Sequence, residues 1–154
     1  TRSFNPPSPI MKINTKHQTH GAALAQIVEH ESFTALNKAT DKRGHYQVNH
    51  DRRLLTKKAG GDGDEWRFTF TADDLAVLED DLDNGVHTFI CLVCGDKTIC
   101  ALGEDDFRQI LDITSGNPQS VVVETPAGRS MRVRGTQGEL ARKVPHNAFP
   151  DVIF

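Results

Sequence analysis

Residues 66–94 decide the fold class, and they read WRFTFTADDLAVLEDDLDNGVHTFICLVC. Aromatic and polar residues alternate with a period of two in Trp66–Phe70, which predicts a strand with one buried and one exposed face. By contrast, Thr88–Cys94 is apolar on both faces. Such a run is typical of an interior strand that other elements cover on both sides.

A helix is predicted between these two strands. Thr71 can cap its start, because Asp74 follows three residues later in a capping-box arrangement. An apolar stripe runs along the predicted helix, and Gly85 stands where a helix commonly ends. The segment therefore combines strand, helix and strand.

Further strands and helices are predicted on both sides of this segment. Each remaining strand is expected to belong to a hairpin, and the two remaining helices show apolar residues at helical spacing. The sequence therefore predicts an α+β fold, in which a central mixed or antiparallel sheet of hairpins is flanked by two or three helices. The predicted hairpin strands are His45–Asn49 with Arg52–Lys58, Thr88–Cys94 with Thr98–Leu102, and Val121–Glu124 with Ser130–Arg134, and the helices are Thr19–Glu31 and Glu104–Asp112.

Length and composition favour one globular domain. The chain has 154 residues, of which 37% are hydrophobic and 25% charged. We expect residues 11–154 to form the domain, while the proline-rich residues 1–10 form an extended tail or are foreign to the native chain. No apolar run is long enough for a membrane helix, and three cysteines do not make a disulfide framework. These features favour a cytoplasmic protein that does not bind membranes.

Charge is divided unevenly along the chain. Residues 1–60 hold ten Lys/Arg against four Asp/Glu, a net charge of +6, whereas residues 61–114 hold three against fourteen, a net charge of −11. Basic residues cluster on the first and last hairpins, so a surface for an anionic partner is one interpretation. Edge-strand protection against aggregation is the other. The cationic candidates are Lys42, Arg43, Arg52, Arg53, Lys57, Lys58, Arg132 and Arg134.

Cysteine and histidine spacing raises the question of a zinc site. His87, Cys91, Cys94 and Cys100 have the spacing H-x3-C-x2-C-x5-C, and the CxxCG sequence often supplies zinc ligands. Residues three apart on a straight strand, however, point to opposite faces. The apolar neighbours favour the alternative, in which these cysteines behave as small core residues.

A candidate nuclease site combines two acidic residues and a lysine. Glu29 lies on the first predicted helix, Asp51 lies at the first hairpin turn, and Lys57 lies on the following strand. Two acidic oxygens can hold Mg²⁺ while a lysine orients water and steadies a phosphate. This order resembles the restriction-endonuclease-like, or PD-(D/E)XK, family over about residues 19–102. The resemblance implies a metal-dependent nuclease or a relative that has lost its site.

The chain departs from that family's pattern at the acid-x-Lys step. No carboxylate stands two positions before Lys57 or Lys58, and Glu65 begins the nearest substitute, in which Arg67 replaces the lysine. No cofactor is therefore predicted, and Mg²⁺ is expected only if the nuclease hypothesis holds.

Three functions follow from these observations. We expect first a non-catalytic binding or regulatory module whose basic hairpin engages nucleic acid or an acidic protein. The second is the Mg²⁺-dependent nuclease. The third is an immunity or adaptor protein that binds its partner through acidic helices at 72–83 and 104–112.

Overall fold

The computed structural model describes residues 15–60 and 63–154, with side chains from residue 21 onward. Three α-helices, eight strands and one 3₁₀ helix make up this part of the chain. In chain order they are α1 Thr15–Val28, β1 Leu36–Lys38, β2 His45–Val48, β3 Arg52–Ala59, β4 Glu65–Phe70, α2 Ala72–Asp83, β5 His87–Cys94, β6 Thr98–Gly103, α3 Glu104–Ile110, β7 Gln119–Glu124, β8 Arg132–Gly135 and the 3₁₀ helix Asp151–Ile153.

Five strands form a mixed sheet in the order β1-β2-β3-β5-β6. The β3–β5 pair is parallel and runs in register from Arg52 opposite His87 to Ala59 opposite Cys94. All other neighbours in this sheet are antiparallel. The parallel pair places β4 and α2 within the connection between β3 and β5, which brings α2 close to β3.

The remaining strands form a three-stranded antiparallel sheet in the order β4-β7-β8. Trp66, Phe68 and Phe70 of β4 are buried, whereas Arg67 and Thr69 between them are exposed. This alternation places one face of the small sheet on the core, as the sequence predicts.

Two apolar clusters cover the opposite faces of the five-stranded sheet. The first lies between the two sheets and includes side chains of α2 and α3. The second lies under α1 and the C-terminal 3₁₀ helix. On β5, Leu92 belongs to the first cluster while Cys91 and Val93 belong to the second. The prediction that this strand is covered on both faces is confirmed.

Helix α2 begins and ends where the sequence predicts. The Thr71 hydroxyl accepts a hydrogen bond from the Asp74 N–H, and the Asp74 carboxylate accepts one from the Thr71 N–H, which completes the capping box. Gly85 follows the helix with φ +73°, a conformation that glycine adopts without strain.

The α+β prediction is confirmed, with the strands divided between two sheets. Two local predictions are wrong: α1 begins at Thr15 rather than near Thr19, and β1 was not anticipated. The boundary expected at residues 10 and 11 lies outside the described residues. None of the described helices is both long and apolar enough to span a membrane.

Candidate anion-binding site

Four of the predicted cations line one cavity of about 350 Å³. Lys42 and Arg43 precede β2, whereas Lys57 and Lys58 lie near the end of β3. We name this cavity the basic cleft and define it by Lys42, Arg43, Thr56, Lys57, Lys58 and Asp74.

The cleft arises because β3 is longer than its neighbour β2. The last paired position of the hairpin places His45 opposite Leu55, and the Thr56 N–H then donates to the Gly44 carbonyl oxygen at 2.8 Å. Beyond this bond β3 continues to Ala59, and no strand of the described residues pairs with it on that side. The segment before β2 lines the cavity beside that edge.

Asp74 anchors two of the four cations. Its Oδ1 lies 2.8 Å from Lys42 Nζ, and its Oδ2 lies 2.7 Å from Lys57 Nζ. Burial by itself raises the pKa of the Asp74 carboxyl. The hydrogen bonds from Lys42, Lys57 and the Thr71 N–H outweigh that effect, and they lower the pKa to about 2. Asp74 therefore stays ionised at any ordinary pH.

Lys42 also contacts Asp73, at 2.6 Å. Partial burial by itself lowers the pKa of Lys42, but the hydrogen bonds to Asp73 and Asp74 outweigh it and raise the pKa above the usual value. Lys57 Nζ lies 5.5 Å from the centre of the Phe70 ring, which adds a cation–π contact. Both lysines are thus held in place.

The other two cations are free to meet a ligand. Among the described residues, neither Arg43 nor Lys58 has an ion-pair partner within 4.0 Å. The four cations and the carboxylates of Asp73 and Asp74 leave the cleft with a net charge of +2.

Thr56 carries an unsatisfied hydroxyl on the face of β3 that points away from Lys57 and Asp74, toward the second apolar cluster. Its residue is 4% exposed, and its Oγ1 has no hydrogen-bond partner. Within the described part of the chain it is the one buried side-chain N or O atom in this state. A buried polar group without a partner is costly, so it requires an explanation.

The other two predicted cations of the first hairpin are used within the fold. Arg52 donates to the carbonyl oxygens of Ile153 at 2.6 Å and Phe154 at 3.1 Å, and it also pairs with Asp51. Arg53 contacts Asp81 at 2.9 Å.

The last hairpin does not extend the cleft. Its strand β8 belongs to the three-stranded sheet, where Arg134 pairs with Glu124 and Glu65. Arg132 is exposed on this sheet. The two basic hairpins thus lie in different sheets, and the expected combined surface reduces to the four cations of the cleft.

A buried polar network beside the cleft was not predicted from the sequence. His45 Nε2 donates to Asp81 Oδ2 at 2.6 Å, and both side chains are 1% exposed. Thr40 Oγ1 lies 2.8 Å from His45 Nδ1, and Arg53 contacts the second carboxylate oxygen of Asp81. The network ties the first hairpin to α2. Its members are up to 41 positions apart, and no local motif connects them.

The predicted zinc ligands do not converge. Cys91 faces the second apolar cluster, whereas Cys94 and Cys100 face the first, on the other side of the sheet. His87 is exposed at the opposite end of β5. The four side chains therefore do not share one site, and the three cysteines are buried in the apolar clusters, as the alternative interpretation expects. Burial raises the pKa of both Cys91 and Cys94 to about 12, so these thiols stay protonated.

The predicted nuclease residues are also spread apart. Glu29 is exposed on the segment after α1, Asp51 precedes β3 and pairs with Arg52, and Glu65 begins β4 in the other sheet. Lys57 is engaged by Asp74. In the described ranges, no three His, Cys, Asp or Glu side chains are grouped so that they could hold a metal ion.

Comparison with known proteins adds nothing to this geometry. A scan against protein-family models, a search of curated proteins and a search of solved structures each gave no match.

Proposed function

We propose that this protein is a non-catalytic binding module that engages an anionic partner through the basic cleft. The observation that carries the proposal is the meeting of four cations from two separate segments at one cavity with a net charge of +2. Asp74 fixes two of them, while Arg43 and Lys58 keep their charges available.

Two alternatives from the sequence have weaker support. The restriction-endonuclease-like nuclease needs carboxylates that converge on Mg²⁺, and the candidate carboxylates lie in separate parts of the fold. An immunity or adaptor protein would use the acidic helices. Two acids of α2, Asp74 and Asp81, already form ion pairs within the protein. The binding module requires no cofactor, and three buried free cysteines suit a cytoplasmic location.

The test is the binding of two polyanions at two salt concentrations. Labelled single-stranded DNA and polyglutamate represent nucleic acid and acidic protein, and fluorescence anisotropy measures their affinities. With two phosphate contacts, from Arg43 and Lys58, the affinity for single-stranded DNA should fall by about sevenfold for a fourfold rise in salt. Preference for polyglutamate would assign the partner to the acidic-protein class.

A double variant tests whether the cleft is responsible. Arg43→Ala with Lys58→Ala removes the two unpaired cations, and binding should be lost at the higher salt concentration. Arg129→Ala with Lys143→Ala removes the same charge from exposed positions elsewhere and serves as the control. The proposal would be overturned if the two double variants lost the same amount of affinity. It would also be overturned if neither polyanion bound to the wild type at low salt.

A further inference from the structure

We infer that the end of β3 beyond Leu55 binds an extended acidic peptide as an added strand. This inference names the partner of the function proposed above, and it rests on that function. The groups that bind the peptide are main-chain atoms of Thr56 and Lys58, two residues that line the basic cleft together with its other cations. The peptide would continue the line of β2 past the point where that strand ends.

The main-chain groups of β3 point alternately to its two sides. The Ala59 carbonyl oxygen accepts a hydrogen bond from the Gly95 N–H at 2.8 Å, so the odd-numbered residues of β3 bond toward β5. The Thr56 N–H donates to the Gly44 carbonyl oxygen, so the even-numbered residues face the side of β2. The Lys58 N–H and the carbonyl oxygens of Thr56 and Lys58 therefore point to the side where β2 has ended.

These three main-chain groups have no hydrogen-bond partner in the part of the chain that the structure describes. Unpaired N–H and C=O groups at the edge of a sheet are a template for pairing with another chain. The cavity of about 350 Å³ beside them provides space for a short strand. At about 3.3 Å per residue, three or four residues of a peptide would span the open part of β3.

A polypeptide matches these groups better than a nucleic acid does. An antiparallel strand places one residue opposite Lys58, where the two residues exchange two hydrogen bonds. The peptide N–H two positions further on then reaches the Thr56 carbonyl oxygen. The sugar–phosphate backbone of DNA has acceptors but no N–H donors, so it leaves both carbonyl oxygens unpaired.

Charge selects an acidic peptide and sets its direction. An Asp or Glu opposite Lys58 would form a cross-strand ion pair, whereas pairing with β3 of a second copy would bring lysines together. An antiparallel peptide runs in the direction of β2, so its carboxyl end lies toward Lys42 and Arg43 in the segment before β2. Amidation of that end should therefore weaken binding, and equal binding of the amide would exclude this direction.

Amide hydrogen exchange measured by NMR tests strand addition at a single N–H. In the free protein the Lys58 N–H should exchange fast, whereas those of Lys57 and Ala59, which face β5, should be protected. The probe is an acetylated hexapeptide of alternating Val and Glu with a free carboxylate. At saturation it should slow the exchange of the Lys58 N–H by about tenfold or more. Protection of this N–H in the free protein, or unchanged exchange in the complex, would overturn the inference.

Two matched comparisons separate main-chain pairing from charge. N-methylation of every residue keeps the charge of the hexapeptide but removes its N–H donors, and affinity should fall by about tenfold or more. Lys58→Pro and Lys58→Ala remove the same charge, but only the proline also removes the N–H. An edge position tolerates proline when its N–H faces outward, as this one does. Lys58→Pro should bind the hexapeptide about fivefold more weakly than Lys58→Ala. Equal affinities in either comparison would overturn strand addition.

The outcomes also distinguish this inference from the proposed function. If both polyanions bind at the cleft but the N-methylated hexapeptide binds as well as its parent, strand addition is refuted and the binding module stands. If Arg43→Ala with Lys58→Ala leaves both the affinity for the hexapeptide and the protection of the amide at position 58 unchanged, strand addition stands and the cation-based function is refuted. Tighter binding of single-stranded DNA than of a hexapeptide of equal charge would overturn the inference in favour of nucleic acid.

Discussion

Thr56 lies in a buried stretch of β3 where a methyl group would pack in place of its hydroxyl. Leu54 and Leu55 precede it and are fully buried, and Thr56 itself is almost as inaccessible. We predict that Thr56→Val stabilises the free protein by about 1 kcal/mol, because it removes a buried hydroxyl that has no partner. Urea denaturation without added anions measures this change.

The control for this prediction is Thr69→Val on β4. Thr69 is exposed, so the same change should alter the free energy of unfolding by less than about 0.5 kcal/mol. A destabilising effect of Thr56→Val would mean that its hydroxyl has a partner in solution that the fold does not reveal.

Asp74 makes the stability of the protein depend on acid. Its pKa is lowered to about 2 in the folded state, whereas the unfolded value is near 3.8. A lowered carboxyl pKa stabilises the fold above the unfolded value. That contribution, about 2 kcal/mol, is lost as the pH falls from about 4 to about 2. Urea denaturation across this pH range should show the loss.

Asp74→Asn should remove most of that acid-dependent contribution. At neutral pH we expect a loss of about 2 kcal/mol, since Lys42 and Lys57 lose their shared anion. Asp73→Asn is the control, because the Asp73 side chain is largely exposed and should contribute less than about 1 kcal/mol. If Asp74→Asn, like Asp73→Asn, loses stability between pH 4 and pH 2 as steeply as the wild type does, Asp74 is not the source of the acid dependence.

At the scale of residues, the sequence predicted only local contacts. The Thr71–Asp74 capping box was predictable because its two members are three positions apart. The His45–Asp81 pair was not, because 36 positions separate its members. The lysine contacts of Asp74 depend in the same way on how α2 packs beside β3.

At the scale of elements, strand β5 determines the state of the cysteines. Cys91 and Cys94 are buried on opposite faces, and burial raises the pKa of each thiol to about 12. We predict that no thiol of the native protein reacts with Ellman's reagent at about pH 8, and that all three react in denaturant. A metal chelator should leave the melting temperature unchanged. Rapid reaction of the native protein would contradict this assignment.

The junction between α3 and β8 depends on Gly135. A Cβ atom at this position would lie 2.9 Å from the Ile110 Cβ and would collide with the Ile110 carbonyl oxygen. We predict that Gly135→Ala destabilises the protein by about 3 kcal/mol, measured by urea denaturation. Gly21→Ala on α1 meets no neighbour and should instead stabilise by about 0.5–1 kcal/mol. A neutral Gly135→Ala would show that α3 and β8 can separate without cost.

Elements with a clear periodic pattern were predictable, and short ones were not. The alternation in β4 and the two-faced apolar run of β5 each identified a strand and its burial. Strand β1 has three residues, two of them exposed, so no pattern marked it. The start of α1 at Thr15 was missed because the apolar face begins only at Ala23.

At the scale of the whole molecule, the divided charge of the sequence has a structural role. Three basic residues of the first third, Lys42, Arg53 and Lys57, pair with acids of α2 in the middle third. The sequence could not show this pairing, because it depends on α2 packing beside the first hairpin. The positive charge that remains available to a partner is the local excess of cations over carboxylates at the basic cleft.

The C-terminal segment completes the second apolar cluster. Ile153 is fully buried, and Arg52 holds the carbonyl oxygens of Ile153 and Phe154. We predict that Ile153→Ala costs about 3 kcal/mol, as much as Leu54→Ala in the same cluster. Val152→Ala, at a partly buried position, should cost clearly less. Urea denaturation measures the free energy of unfolding of the three variants. A decrease of less than about 1 kcal/mol for Ile153→Ala would mean that this segment contributes little to the core.

The parallel pairing of β3 with β5 limits how the chain can be divided. Neither strand has its full set of main-chain partners until both are present, and β4 and α2 lie between them in the chain. A fragment that stops after residue 60 would leave one side of β3 open along its whole length, which invites pairing with other copies. Expression of the isolated first hairpin should therefore yield aggregates, and the shortest soluble piece that retains this sheet must reach at least residue 103, where β6 ends.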